Sequence, residues 1–395
     1  MEKKRNYFQG LSKNTFLLAL TSFFADISTE MLYPVIPIFL TQTLKANVSI
    51  VGLVEGIAQA TQNIVQGFSG SISDKLQKRK QVAILGYTIA AFSKPFIGLA
   101  SVWQVVLGAR FADRLGTGIR SAPRDGLIAS SADEKSRGKA FGLEGIGDNL
   151  GAFVGPLIAI ALLFGLNVSI RNIFYFAIIP GLLAVIMILF VKEKEAIVSI
   201  KSKLDLSLTR FPTAYWKYIF VTALFGVGNF STSFLILRTK GLGASLILTI
   251  LIYAFFNLVA ALISYPAGTL SDKLGRKNIL FISFLIFIIT NIGFAVSKNI
   301  YFIGFLFIGY GLFQGIFRSV GKAFASDFVP QALRASGVGW YSTTVGISSL
   351  VASIVAGQLW VNINPSATFV YGALFAIAGG FALLFLVPKK SNNSI

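Results

Sequence analysis

Ser69-Gly-Ser-Ile-Ser-Asp-Lys-Leu-Gln-Lys-Arg79 and Ala267-Gly-Thr-Leu-Ser-Asp-Lys-Leu-Gly-Arg-Lys277 are nearly the same undecapeptide, set 198 positions apart in a chain of 395 residues. A second pair agrees: Arg137-Gly-Lys-Ala-Phe-Gly142 and Arg334-Ala-Ser-Gly-Val-Gly339 stand 197 apart. A repeat at half the chain length reads as a duplicated unit. What was duplicated follows from the flanks, which are long and apolar. The chain is 54% apolar and 13% charged, with a mean hydropathy of +0.73. A soluble domain carries about twice that charge, and a single core stops growing at roughly 250–300 residues. The solvent of most of this chain is therefore lipid.

A spanning helix needs about 20 apolar residues, and apolar segments can be drawn at 14–42, 48–72, 81–100, 102–131, 138–165, 170–191, 214–240, 244–270, 278–297, 300–326, 335–361 and 366–388. The expectation is an all-α membrane protein of twelve transmembrane helices in two pseudo-symmetric halves. Residues 1–191 form one six-helix half, 192–213 a connector and 214–395 the other half. Parallel repeats of this kind build transporters.

The formal charge of +19 invites a nucleic-acid reading, but position argues otherwise. Of 35 Lys and Arg residues, 23 fall on the side of the two termini and the connector, five on the opposite side and seven within the segments. By the positive-inside rule both termini and the connector are cytoplasmic, in the cytoplasmic (inner) membrane. The chain contains no Cys and no His. That excludes disulfides, thiolate nucleophiles, zinc or haem ligation through those residues and imidazole relays, so proton handling near neutral pH falls to carboxylates. The expected partners are a small-molecule substrate, protons and the bilayer. No metal, cofactor, nucleic acid or enzymatic activity is expected, and the protein should work as a monomer.

The repeated undecapeptide resembles the loop signature between the second and third helices of the major facilitator superfamily. Gly268, Asp272, Lys273, Gly275, Arg276 and Lys277 match it fully; Gly70, Asp74, Lys75, Lys78 and Arg79 match it with Gln77 in place of the second glycine. An aspartate at such a helix end can accept from a neighbouring helix N-terminus or pair with a nearby arginine. The fifth segment is similar to a glycine-proline motif of exporters that run as antiporters, in Gly142, Gly151, Gly155 and Pro156, although Ala159 and Ile160 replace its closing glycines. Glycines along one face allow close helix approach, and the proline frees a carbonyl. Arg110 to Asp125, Asp26 to Pro34 and Gly52 to Ala58 resemble uncharacterised bacterial permeases of the same superfamily, a likeness that carries no substrate with it. The resemblance implies secondary active transport by alternating access.

Intramembrane charge costs several kcal/mol per residue on insertion scales and usually faces a polar interior. Seven acids lie within the segments, Asp26, Glu30, Glu55, Asp113, Asp125, Glu144 and Asp148, all in the first half. Lys94, Arg110, Arg114, Arg120 and Arg124 join them, while the second half places only Arg318 and Lys322 deep in a segment, plus Arg238 at a rim. Counting about 1.5 Å per residue groups Glu55 with Lys94 and Arg110, Glu30 with Asp113 and Arg114, and Asp26 with Arg120 and Asp148; Glu144 and Arg124 come just below. Asp26 with Glu30, and Glu144 with Asp148, are one-turn neighbours that compete for ionisation. Asp26, Glu30, Asp113, Glu144 and Asp148 are thus candidates for proton coupling. Glu55, Lys94, Arg110, Arg114, Arg120, Arg124 and Arg318 form a charge network or an anion site. A static salt-bridge scaffold is the competing reading for any one of them.

The second half offers Asn229, Ser231, Ser233, Tyr253, Asn257, Tyr310, Gln314, Trp340, Tyr341 and Thr344 as a candidate substrate lining suited to an amphipathic or aromatic solute. Proton-coupled export by antiport is the leading expectation. Symport of an organic anion, motivated by Arg114, Arg120 and Arg318, is the alternative, and a transporter-shaped receptor or lipid translocator a third.

Overall fold

The computed structural model describes residues 11–76, 78–132, 136–193, 210–330 and 333–388. These fold into helical rods only. In chain order they are α1 (Lys13–Glu30), α2 (Val48–Leu76), α3 (Arg79–Leu99), α4 (Trp103–Ser130), α5 (Arg137–Ile160), α6 (Ile170–Leu189), α7 (Thr213–Gly241), α8 (Leu246–Leu274), α9 (Arg276–Val296), α10 (Ile300–Asp327), α11 (Arg334–Asn362) and α12 (Pro365–Leu386). Among the described residues nine of them are long and apolar enough to cross a bilayer by composition alone. The other three, α1, α2 and α4, carry five of the seven embedded acids and the four embedded arginines of the first half. Their polar stripes face the protein interior, which is what a buried polar face requires in lipid.

The rods depart from single straight helices where the sequence dictates. The first apolar segment continues past α1 through a short helix, Ile36–Ile38, and a widened turn, Phe39–Thr43. Pro34 and Pro37 cannot donate to the helical ladder, so the break falls there. The widened turn closes with Leu44 N–H on the Phe39 carbonyl at 3.0 Å, and α5 ends in the same device, Leu166 N–H on Ala161 at 3.1 Å. Lys45 and Asn167 follow these turns at φ 54° and 50°. Within α7 the chain leaves the helix at Asn229, whose ψ is 79°, and resumes at Ser233. That interruption falls inside the expected 214–240 segment.

The first six rods pack chiefly on one another, as do the last six. The main seams joining the two groups are α2 against α11 and α5 against α8. Small residues bring α2 and α11 into backbone contact: a Cβ on Gly67 would lie 3.2 Å from the Gly339 carbonyl, and one on Gly357 2.9 Å from Ser49 Cα. The second half has an aromatic core in which Phe225 stacks on Phe284 at 3.9 Å between ring centroids.

Candidate functional site

A cavity of about 560 Å³ lies where the two groups meet, lined by α1, α2, α4 and α5 on one wall and α7, α8, α10 and α11 on the other. Tyr33 lines the cavity and reaches across it. Its ring stacks on Tyr253 at 5.3 Å and 12°, and its hydroxyl meets Ser231 Oγ at 3.2 Å. Toward the other end the lining is exposed, at Arg318 and Lys322.

Of the five proton-coupling candidates, Asp26, Glu30 and Asp148 line this cavity, whereas Asp113 and Glu144 do not. Glu30 bonds to the other wall: Tyr253 Oη donates to its Oε2 at 2.6 Å and Asn257 Nδ2 at 3.3 Å. Depth counting paired Glu30 with Asp113 and Arg114 instead, because it ignored the second half. Asp113 is 1% exposed and sits among Arg110 at 3.0 Å, Lys94 at 3.6 Å and Arg114 at 3.6 Å. Lys94 thus meets Asp113 rather than Glu55. Glu55 is taken by the Arg110 fork, Nη2 to Oε2 at 2.8 Å and Nε to Oε1 at 3.1 Å.

A second cluster lies nearer the termini. Arg124 Nη1 is 2.8 Å from Glu144 Oε1 and 3.7 Å from Asp148 Oδ1, and Arg124 Nη2 is 3.0 Å from Asp125 Oδ1. Ser22 Oγ donates to Glu144 at 2.9 Å. Arg120 approaches Asp26 at 4.0 Å and lies over the Tyr87 ring at 4.4 Å. Asp148 therefore belongs with Arg124, not Arg120 as its depth implied.

In the expected lining, Asn229, Ser231, Tyr253, Asn257, Tyr310, Gln314 and Tyr341 reach the cavity; Trp340 and Thr344 do not, nor does Ser233, which is fully buried in α7. Gln314, with its carbonyl facing Arg318, accepts from Nε and Nη2, both at 3.1 Å. The polar stripe Gln59, Gln62, Asn63 and Gln66 on α2 also lines the cavity, and Gln62 accepts from Arg114 Nη1 at 3.0 Å. Its spacing of three and four residues marks one helix face in the sequence.

The loop motif works as a helix-end clamp. In the second half Arg276 bridges Asp272 at 3.2 Å, Asp327 at 2.8 Å and the Ala323 carbonyl at 2.8 Å, while Gly275 turns the chain at φ 88°. Gly268 has open space beside it, and Lys273 lies in the last turn of α8. In the first half Gly70 packs toward Ala122; Gln77 and the side chains of Asp74 and Lys75 lie outside the described residues, as do Lys135, most of the connector and both termini. The N-terminus of α3 is capped by Glu193, which accepts from Arg79 N–H at 2.9 Å and Lys80 N–H at 3.2 Å. That acid carried no sequence motif. On α5, Gly151 and Gly155 press on α1 beside Phe23 and Ile27, joined by Gly147 against Ala19, while Gly142 touches nothing within 4 Å. The contact stripe is therefore Gly147, Gly151 and Gly155, with Pro156 buried beside it, and Gly142 is outside it.

A two-group helical bundle around a polar central cavity defines a membrane transporter rather than an enzyme. The family model of the Major Facilitator Superfamily matches residues 18–253 and 218–394, and the chain belongs to that family. It is 36% identical over 392 residues to an uncharacterized MFS-type transporter of Methanocaldococcus jannaschii, covering 98% of each chain. A quinolone resistance protein, NorA of Staphylococcus aureus, is 28% identical over 231 residues, 56% of this chain and 58% of NorA. Among solved structures the nucleoside transporter NupG superposes with a TM-score of 0.79 at 15% identity, over 95% of this chain and 100% of NupG.

Proposed function

We propose that the protein is a proton-coupled exporter of a small organic solute, working as a monomer in the cytoplasmic membrane. Its halves, 1–191 and 214–395, rock about the central cavity, and both termini and the 192–213 connector lie in the cytoplasm. One observation carries this reading: Glu30 on one wall accepts from Tyr253 and Asn257 on the other, with Asp26 and Asp148 lining the same cavity. A carboxylate that bonds across the seam holds the halves together more strongly when ionised than when protonated, so proton binding favours separation of that seam. Asp113 and Glu144, closed off by their arginines, serve the scaffold. Export is supported by the close-packed, proline-bearing α5, whose Gly151, Gly155 and Pro156 belong to the exporter-like motif.

The test is a thermal-shift screen of the purified protein against drug and metabolite panels, followed by transport of the hits in proteoliposomes. An imposed pH gradient should drive accumulation against the solute gradient, and Glu30→Gln should abolish it. Transport that ignores the pH gradient, or Glu30→Gln accumulating like wild type, would refute proton coupling through this seam.

A further inference from the structure

Tyr310, Gln314, Arg318 and Lys322 follow one another at four-residue spacing on α10, and all four line the cavity. At about 1.5 Å of rise per residue they form a ladder from an aromatic ring through an amide to two cations. The upper end is apolar and closed: Tyr310 is 2% exposed, with Phe256 at 5.8 Å between centroids. The lower end is exposed and carries the two cations. Among the described residues no carboxylate lies within ion-pair distance of Arg318 or Lys322. That sets them apart from the five embedded cations of the first half, each of which has an acid within 4.0 Å. Gln314 steadies the Arg318 fork through Nε and Nη2.

A cation that is neither neutralised by the protein nor needed to neutralise it is available to a ligand. We propose that Arg318 and Lys322 are the anion subsite of the cavity, so that the solute is an organic anion: its carboxylate or phosphate is held by the two cations and its apolar body points toward Tyr310 and Phe256. The inference rests on the transport reading for the role of the cavity, and adds the substrate class. A guanidinium held by its neighbour binds such a group by paired, charge-assisted hydrogen bonds, and the ammonium one turn below adds a second positive charge. The competing role for these cations is a gate that pairs with Asp26 or Asp148 when the cavity closes. A gate residue affects transport but not the affinity of the open state for an anion.

Binding to the purified full chain in detergent, without any pH gradient, separates the roles. Calorimetric titrations with 2-naphthoate and its isosteric neutral amide, 2-naphthamide, isolate the charge. The naphthoate should bind wild type at least about tenfold more tightly than the amide, the scale of a hydrogen bond to a charged group. Arg318→Gln and Lys322→Gln should each erase most of that difference without moving the amide affinity, and Arg318→Lys should keep part of it. Lys298→Gln, outside the cavity, should change neither. Equal affinities in wild type, no binding of naphthoate, or an anion preference that survives loss of both cations overturns the proposal, the last outcome in favour of a gate. Because no gradient is applied, anion binding without pH-driven transport would refute proton coupling and leave the anion subsite standing.

Discussion

At the scale of single residues, the embedded charges divide by burial. Arg110 is 2% exposed and forked onto Glu55, whereas Arg318 stands in the open cavity. Removing one partner of a buried pair strands the other and costs about 3–5 kcal/mol. Arg110→Gln should therefore lower the thermal unfolding temperature sharply, and Asp113→Asn likewise, since it leaves three cations facing one another. Arg318→Gln should leave that temperature nearly unchanged; equal losses for Arg110 and Arg318 would remove the distinction. The cavity acids call for a different readout. Asp148→Asn and Asp26→Asn are expected to abolish accumulation driven by a pH gradient while sparing downhill exchange, because the amide mimics the protonated acid. Retained gradient-driven accumulation in both would return them to the scaffold.

Whole elements depend on how closely their backbones approach. A Cβ at Gly151 would lie 2.5 Å from the Phe23 carbonyl and 2.9 Å from Asp26 Cβ, whereas one at Gly142 would meet open space. Overpacking costs about 1–3 kcal/mol, so Gly151→Ala should separate α1 from α5 and lower the unfolding temperature; Gly142→Ala should not. Because Asp26 shares that contact, Gly151→Ala should also impair transport in the protein that still folds. Unchanged stability in Gly151→Ala would mean that α1 yields easily. Gly275 is constrained by conformation rather than space. At φ 88° and ψ 131° a side chain strains the backbone by about 1–3 kcal/mol, and Gly275→Ala should loosen the Arg276 clamp on Asp272 and Asp327.

For the molecule as a whole, orientation and access are the testable quantities. The protein lacks cysteine, so single cysteines report without background. Cysteines replacing Lys4 and Lys203 should resist an impermeant thiol reagent in intact cells, while one replacing Lys298 should react. The reverse pattern would invert the topology. A cysteine at Ser342, which lines the cavity, should react in inside-out vesicles, and more slowly while a pH gradient turns the halves over. A labelling rate indifferent to the gradient would argue against alternating exposure of this cavity.

The half-length repeat and the apolar periods were enough to reach the all-helical architecture, because a helix in lipid must satisfy its backbone locally and its hydropathy is then written along the chain. The pairing of charges was not legible in the same way. Rise per residue ranks depth along a rod but is silent on which face points where, so Lys94 was set beside Glu55 and Asp148 beside Arg120 when Asp113 and Arg124 are their partners. Glu30 was placed among first-half cations because nothing local announces that α8 crosses the seam there to supply Tyr253 and Asn257. Gly147 and Glu193 escaped for the same reason: each acts on a segment remote in sequence, against Ala19 and at the start of α3. Local chemistry determined which residues had to be buried, and the packing of distant helices alone decided which of them meet.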